Sequence, residues 1–261
     1  MEFYTLASSS AGNAALLRSG GTAVLLDAGI SARRIAQALS QLGMTPRELD
    51  AVLVTHEHSD HVCGIATLTK KYGVPVYASR GTARCLSCAG ELLRCFEAGA
   101  SFSVGELTVR SFATSHDSAD SVDYRIDGAD GSFGALTDTG YVTDAAAQVL
   151  RGVDALLLEA NHDVEMLRSG PYPYPLKQRV LGGCGHLSNE AAADFALYCA
   201  QNGTRDILLA HLSAENNTPA KAEYAVARRL QGLPVRLGVA PRAVMSAVHE
   251  VPVCRRSASF A

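Results

Sequence analysis

From its first residues the chain alternates short apolar runs with polar breaks. Phe3-Tyr4-Thr5-Leu6, Ala14-Ala15-Leu16-Leu17 and Ala23-Val24-Leu25-Leu26 predict three short strands, with a turn-rich break over residues 8–13. The third run ends at Asp27-Ala28-Gly29. Ser31 then caps a stretch of helical period, Ile35, Ala38, Leu39 and Leu42, which Gly43 closes. Thr45-Pro46-Arg47-Glu48 has capping-box spacing with proline at the first helical position. A further apolar run at 51–54 leads directly into Thr55-His56-Glu57-His58-Ser59-Asp60-His61.

The same alternation continues. Ile65, Leu68, Thr69 and Tyr72 mark a helix ended by Gly73, and residues 74–77 a strand. A helix from about Thr82 and strands at 92–96 and 107–112 lead to Thr114-Ser115-His116-Asp117. Strands at 123–126 and 132–136 lead to Thr137-Asp138-Thr139-Gly140. A helix at 144–150 and a strand at 155–158 precede Glu159-Ala160-Asn161-His162-Asp163.

Residues 169–187 contain Pro171-Tyr172-Pro173-Tyr174-Pro175 and Gly182-Gly183-Cys184-Gly185-His186 and read as a long irregular excursion, a kind of segment that tends to carry function. Ser188 opens an alanine-rich helix to about Gln201. A strand at 206–210 ends at His211, and a helix at 219–230 and a strand at 235–239 follow. Strand-rich and then helical segments thus occur twice, over roughly 1–80 and 100–240. That order predicts an α/β protein, a two-sheet sandwich with helices outside. We expect one domain over 1–261, with a frayed tail at 254–261.

Composition narrows the partners. Over 261 residues, 48% are apolar and 19% charged, and the formal net charge is −3. That balance suits a soluble globular chain and gives no general attraction to nucleic acid, so a polyanion would need a local basic patch. No apolar stretch approaches the ~20 residues of a membrane span, and the first residues lack a signal-peptide pattern. The expected location is cytoplasmic, without membrane association. Seven cysteines at 63, 85, 88, 95, 184, 199 and 254 follow no disulfide spacing and read as reduced thiols. Cys85 and Cys88 form a C-x-x-C with no second pair, and read as incidental.

The chemistry lies at predicted strand ends. His56, His58, Asp60 and His61 follow one strand, and His116, Asp138 and His211 follow three others. These seven N and O donors are too many for one tetrahedral structural zinc. They suit two divalent ions sharing a carboxylate, as in two-metal hydrolases, where bound water becomes a nucleophile at neutral pH. Zn²⁺, Mn²⁺ and Fe²⁺ all fit such donors.

His56-x-His58-x-Asp60-His61 with the distant His116, Asp138 and His211 resembles the metallo-β-lactamase fold in its two-metal form. The resemblance implies a four-layer αβ/βα sandwich. It implies that His56, His58 and His116 hold one ion, that Asp60, His61 and His211 hold the other, and that Asp138 bridges. Asp27 then supports the histidine loop without binding metal. Ser8-Ser9-Ser10-Ala11-Gly12-Asn13, Glu159-Ala160-Asn161-His162-Asp163, Gly185-His186-Leu187-Ser188-Asn189 and the stretch from His211 to Thr218 are similar to the YycJ (WalJ) group, near the RNase Z and PhnP phosphodiesterases. That likeness implies a 5′→3′ DNA exonuclease.

Asp60 and His186 are the expected catalytic residues. His186 lies in a glycine-rich loop before a helix N-terminus, where it can bind a phosphate oxygen or protonate a leaving alkoxide. Glu159 and His162 are candidates for supporting the ligands or contacting substrate. Ser10 and Asn13 are candidates for the floor of the site, Ser188 for the helix cap, and Lys177 and Arg179 for a nucleic-acid backbone. His249 is expected on the surface. Alternatives are a phosphodiesterase for RNA ends or small cyclic phosphodiesters, and a metal-binding regulatory protein without turnover.

Overall fold

The computed structural model describes residues 1–86 and 90–251; Cys88 and the expected frayed tail lie outside these. Fourteen strands form two sheets among the described residues. The first takes β1 (Glu2–Ser9), β2 (Gly12–Ser19), β3 (Thr22–Leu26), β4 (Ala51–Leu53), β5 (Val76–Ser79) and β6 (Leu93–Phe96) in chain order. The second takes β7 (Ser101–Val104), β8 (Leu107–Ala113), β9 (Val122–Gly128), β10 (Gly131–Leu136), β11 (Ala155–Glu159), β12 (Asp206–Ala210) and β13 (Arg236–Val239). A last short strand, β14 (His249–Glu250), returns to pair with β1. Each sheet is antiparallel on one side and parallel on the other, β3 to β6 and β10 to β13 being parallel.

The two-residue period of a strand explains the layers. Leu16, Leu25 and Val52 point to one face of the first sheet and pack with Ile35 and Leu39 of the helix Ala32–Gln41. Their neighbours Leu17, Val24 and Leu53 point the other way and meet Val109, Tyr124, Ile126 and Phe133 between the sheets. Leu156, Leu158, Ile207 and Leu209 cover the far face of the second sheet under helices Asp144–Leu150, Asn189–Gln201 and Pro219–Arg229. The result is helix, sheet, sheet, helix, the four layers expected. Among the described residues no helix is long and apolar enough to cross a membrane.

Four local readings change. Residues 8–13 are mostly strand, since β1 and β2 pair to Ser9↔Gly12 and only Ser10 and Ala11 make the turn. β7 was hidden because its sequence, SFSV, is half polar; it pairs with β8 as a hairpin edge. The excursion at 169–187 contains a helix, Tyr174–Leu181, whose Pro175 falls in the first turn where its missing N–H costs nothing. His249 is not a surface residue: Nδ1 lies 3.1 Å from Asp206 Oδ2 and the ring stacks on Phe3 at 4.7 Å. Both partners are more than 40 residues away, so no local signal marks them.

Candidate metal centre

Each sheet contributes strand ends to one cluster of histidines and carboxylates. The turn after β3 places Asp27 at φ 57°, a left-handed conformation that aspartate tolerates better than most residues. Its Oδ1 accepts the Thr55 N–H at 2.8 Å, and its Oδ2 accepts the Thr55 hydroxyl at 2.9 Å and His61 Nδ1–H at 2.7 Å. With its proton committed to Asp27, Thr55 Oγ accepts from His56 Nδ1 at 3.0 Å. Both imidazoles are thereby oriented with Nε2 toward the cluster.

The rings of His116 and His211 are set in the same way. His116 Nδ1 donates to the Gly185 carbonyl at 3.3 Å, leaving Nε2 3.4 Å from His58 Nδ1, which itself lies 3.0 Å from His56 Nε2. His211 Nδ1 donates to Glu159 Oε1 at 2.9 Å. Asp138 Oδ2 lies 3.3 Å from His61 Nε2, and its Oδ1 lies 3.8 Å from His116 Nε2 and 3.5 Å from His211 Nδ1. Asp60 Oδ2 is 3.6 Å from His61 Nε2 and 4.0 Å from His211 Nε2.

The donor atoms of His56, His58 and His116 lie within 4.8 Å of one another, and so do those of Asp60, His61 and His211. Asp138 stands between the two groups. Two buried atoms, Asp138 Oδ2 and His211 Nε2, have no hydrogen-bond partner. An unmatched buried acceptor is costly, and a cation would satisfy both. Asp138 and His211 also take left-handed conformations, at φ 49° and 55°. Such backbone strain persists where the surrounding structure over-determines it, as at functional sites. The residues fit a divalent metal.

Without an ion, burial and charge push the groups apart. Burial, then the neighbouring His61 and His116, hold His56 far below the usual imidazole range. Burial opposes the charged form of His61, but Asp27 and Asp138 outweigh it and raise the ring to about 9. Burial opposes ionisation of Asp60 as well, yet His211 and His61 bring it down to about 2. Glu159, fully buried, is kept ionised against its burial by His186 and His211; it raises His186 in turn, while His211 is raised by Asp138 first and by Asp60 and Glu159 after it.

Glu159 is the hub of the second half of the site. Its Oε1 takes His186 Nδ1–H and His211 Nδ1–H, both at 2.9 Å, and its Oε2 takes the backbone N–H groups of Leu187 and Thr139. Asn13 brings Nδ2 to 3.1 Å from His61 Nε2. Ser10, exposed at the hairpin tip, lines a cavity of about 150 Å³ with His186, Tyr172, Arg179 and Asn216. Ser188 caps its helix by accepting the Ala191 N–H.

His162 is not drawn into the cluster. It is buried, its backbone bridges to Ser188, Nδ1 has no partner, and burial lowers it to about 4. Lys177 donates to the Arg168 carbonyl, and Arg179 pairs with Asp117 at 2.5 Å.

Several supporting residues were not singled out for these roles by the sequence. Glu57 Oε1 holds the 116–121 loop through Ala119 N–H at 2.7 Å, and buried Asp123 accepts the Thr137 N–H at 2.7 Å beside Asp138. Ser8 Oγ accepts the His211 N–H at 2.8 Å. Gly29 is needed for contact: a Cβ there would meet the Asp60 carbonyl oxygen at 1.6 Å.

Residues 22–212 match the beta-lactamase superfamily domain. The chain is 40% identical over 245 residues to Exodeoxyribonuclease WalJ of Streptococcus pneumoniae, covering 91% of each chain. It is 36% identical to Exodeoxyribonuclease YycJ of Bacillus anthracis, covering 88% of this chain and 89% of that one. Among solved structures, the metallo-beta-lactamase fold protein YhfI of Bacillus subtilis superposes with a TM-score of 0.73 over 94% of this chain and 98% of its own; at 18% identity the likeness is one of fold. The chain therefore belongs to the beta-lactamase superfamily, in the family that includes WalJ and YycJ.

Proposed function

We propose that the protein is a metal-dependent phosphodiesterase acting on DNA, a 5′→3′ exonuclease, with two divalent ions (Zn²⁺ or Mn²⁺, with Fe²⁺ also compatible). His56, His58 and His116 would hold one, Asp60, His61 and His211 the other, and Asp138 both. Bound ions supply a nucleophile from water at neutral pH and neutralise charge on the phosphate. The observation that carries the reading is His186. It is tied to Glu159 like His211, yet its side chain is 20% exposed where those of His61 and His211 are 1% and 2% exposed.

Substrate can therefore reach its ring. Glu159 favours the charged imidazole and fixes Nδ1, so Nε2–H is the proton available to a leaving alkoxide. Asp60 and His186 are the catalytic residues of this reading, and two relatives named exodeoxyribonuclease support it.

The test is digestion of end-labelled linear duplex DNA under Mn²⁺ and under Zn²⁺. Asp60→Ala should abolish it in a protein that keeps its circular dichroism, and His186→Ala should lower turnover about 100-fold or more. Full digestion by purified Asp60→Ala overturns the reading.

A second reading keeps the site and changes the substrate to an RNA end or a small cyclic phosphodiester. It is favoured by the net charge of −3 and by Lys177 and Arg179 both being engaged within the protein. Running single strands, RNA and a cyclic dinucleotide beside the duplex decides between them. A regulatory protein without turnover would bind metal and cleave none of the panel.

A further inference from the structure

Exposed large apolar side chains occur on the segments that flank the His186 loop and Asp138. Of the six among the described residues, Tyr141, Tyr174 and Leu181 lie in the segment after Asp138 and in the helix Tyr174–Leu181 before the His186 loop. Tyr141 is 55% exposed, and the backbone that carries it is pinned from three sides. Its carbonyl accepts the Thr139 hydroxyl at 2.7 Å, and Gly140 N–H donates to Ser115, the residue before His116, at 2.8 Å. Gly140 also packs so closely on the His186 loop that a Cβ would meet the Gly183 carbonyl at 2.2 Å. Gly183 in turn has space over its Cα, with Tyr141 ring atoms 4.0 Å from where a Cβ would stand. Tyr141 thus stands where the segments bearing His116, Asp138 and His186 meet.

A half-exposed aromatic side chain on a rigid loop keeps a flat apolar face in water. Nucleobases are the planar partners that such a face stacks on, and every base offers one. We propose that Tyr141 is a positioning residue, a stacking platform for a nucleobase next to the scissile phosphate. This rests on the phosphodiesterase reading above. Because the segments bearing His116, Asp138 and His186 fix the loop, a base stacked there holds its phosphate in register with the metal cluster and His186. A platform of this kind serves any base, so it gives preference for nucleic acid over simple diesters without sequence preference.

The experiment compares two DNA duplexes, identical except that the nucleotide at the cleaved end carries a base or is abasic, together with bis(4-nitrophenyl) phosphate. The wild-type enzyme should show a KM about tenfold or more lower for the base-bearing duplex, the scale of one base–aromatic contact. In Tyr141→Ala that preference should vanish, and Tyr141→Phe should restore it. A 2-aminopurine at the same position should be quenched on binding wild type and Tyr141→Phe, but not Tyr141→Ala. An equal preference for the base in wild type and Tyr141→Ala overturns the platform while leaving the phosphodiesterase intact. Cleavage of neither DNA nor the chromogenic diester by the wild type overturns both.

Discussion

Asp27 decides which nitrogen of His61 faces the cluster, through a 2.7 Å bond to Nδ1 and two more to Thr55. Its removal frees the ring to rotate and to change tautomer. Asp27→Ala should weaken metal binding about 10- to 100-fold, as losses of such supporting carboxylates do, while the protein stays folded. Equilibrium dialysis against Zn²⁺ checks this, and unchanged affinity would show that packing alone orients His61.

The same carboxylates make the metal-free protein sensitive to alkali. His61 is raised to about 9, above the ~6.5 of a free imidazole, so the stabilisation from its charged form is complete below about 6.5. It is lost as the pH rises through about 9. His186 and His211 are shifted the same way. The melting temperature of chelator-treated protein should therefore fall between about pH 7 and 9.5. Metal-loaded protein, whose ions take the place of those protons, should show a much smaller change.

His56, His58, Asp60 and His61 stood out because the H-x-H-x-D-H spacing is local, and His116, Asp138 and His211 because each follows a predicted strand. Asp123 and Thr55 did not, since what they do depends on hydrogen bonds to Thr137 and Asp27 that distant strands deliver.

Among elements, the turn after β3 is the least tolerant. Gly29 lies against Asp60 O and Asn13 N, so a methyl group there must move the backbone that carries Asp60. A displacement of about 1 Å at a reacting centre can cost on the order of 100-fold in rate. Gly29→Ala should lower kcat by about that factor and reduce the bound metal per chain, read by elemental analysis of the purified variant. Retention of both would mean that the 59–62 turn can slide without cost.

Strands with continuous apolar runs, such as Ala155–Glu159 and Asp206–Ala210, were plain in sequence because both their faces are buried. The edge strand β7 and the helix Tyr174–Leu181 were not. One is partly solvated and half polar, and the other is masked by prolines that sit at and before its first turn.

At the scale of the molecule, the site depends on two sheets staying in register, since His56, His58, Asp60 and His61 come from the first and His116, Asp138 and His211 from the second. Their shared core joins Phe3, Leu17 and Leu53 to Tyr124, Ile126 and Phe133, and Tyr124 Oη donates to the Val54 carbonyl at 2.5 Å. Neither half can bury that face alone, so one cooperative unfolding transition is expected.

A second tie involves Asp206. Buried at the start of β12, it pairs with Arg236 on β13 and with His249 on β14, whose ring stacks on Phe3 of the first sheet. Burial opposes its charge, but His249 and Arg236 hold its carboxyl below the usual range. That contribution is present above the ordinary value near 3.8 and is lost as the pH falls through the lower folded value. Asp206→Ala should destabilise the fold by about 2 kcal/mol, the scale of stranding buried polar partners. It should also abolish the acid-side loss that Asp206 contributes, and leave turnover per folded molecule unchanged.

Urea unfolding followed by far-ultraviolet circular dichroism and by tyrosine fluorescence tests both points. Coincident curves, shifted together in the variant, are expected. Separate transitions by the two probes would show that the sheets unfold independently and that Asp206 secures only its own half.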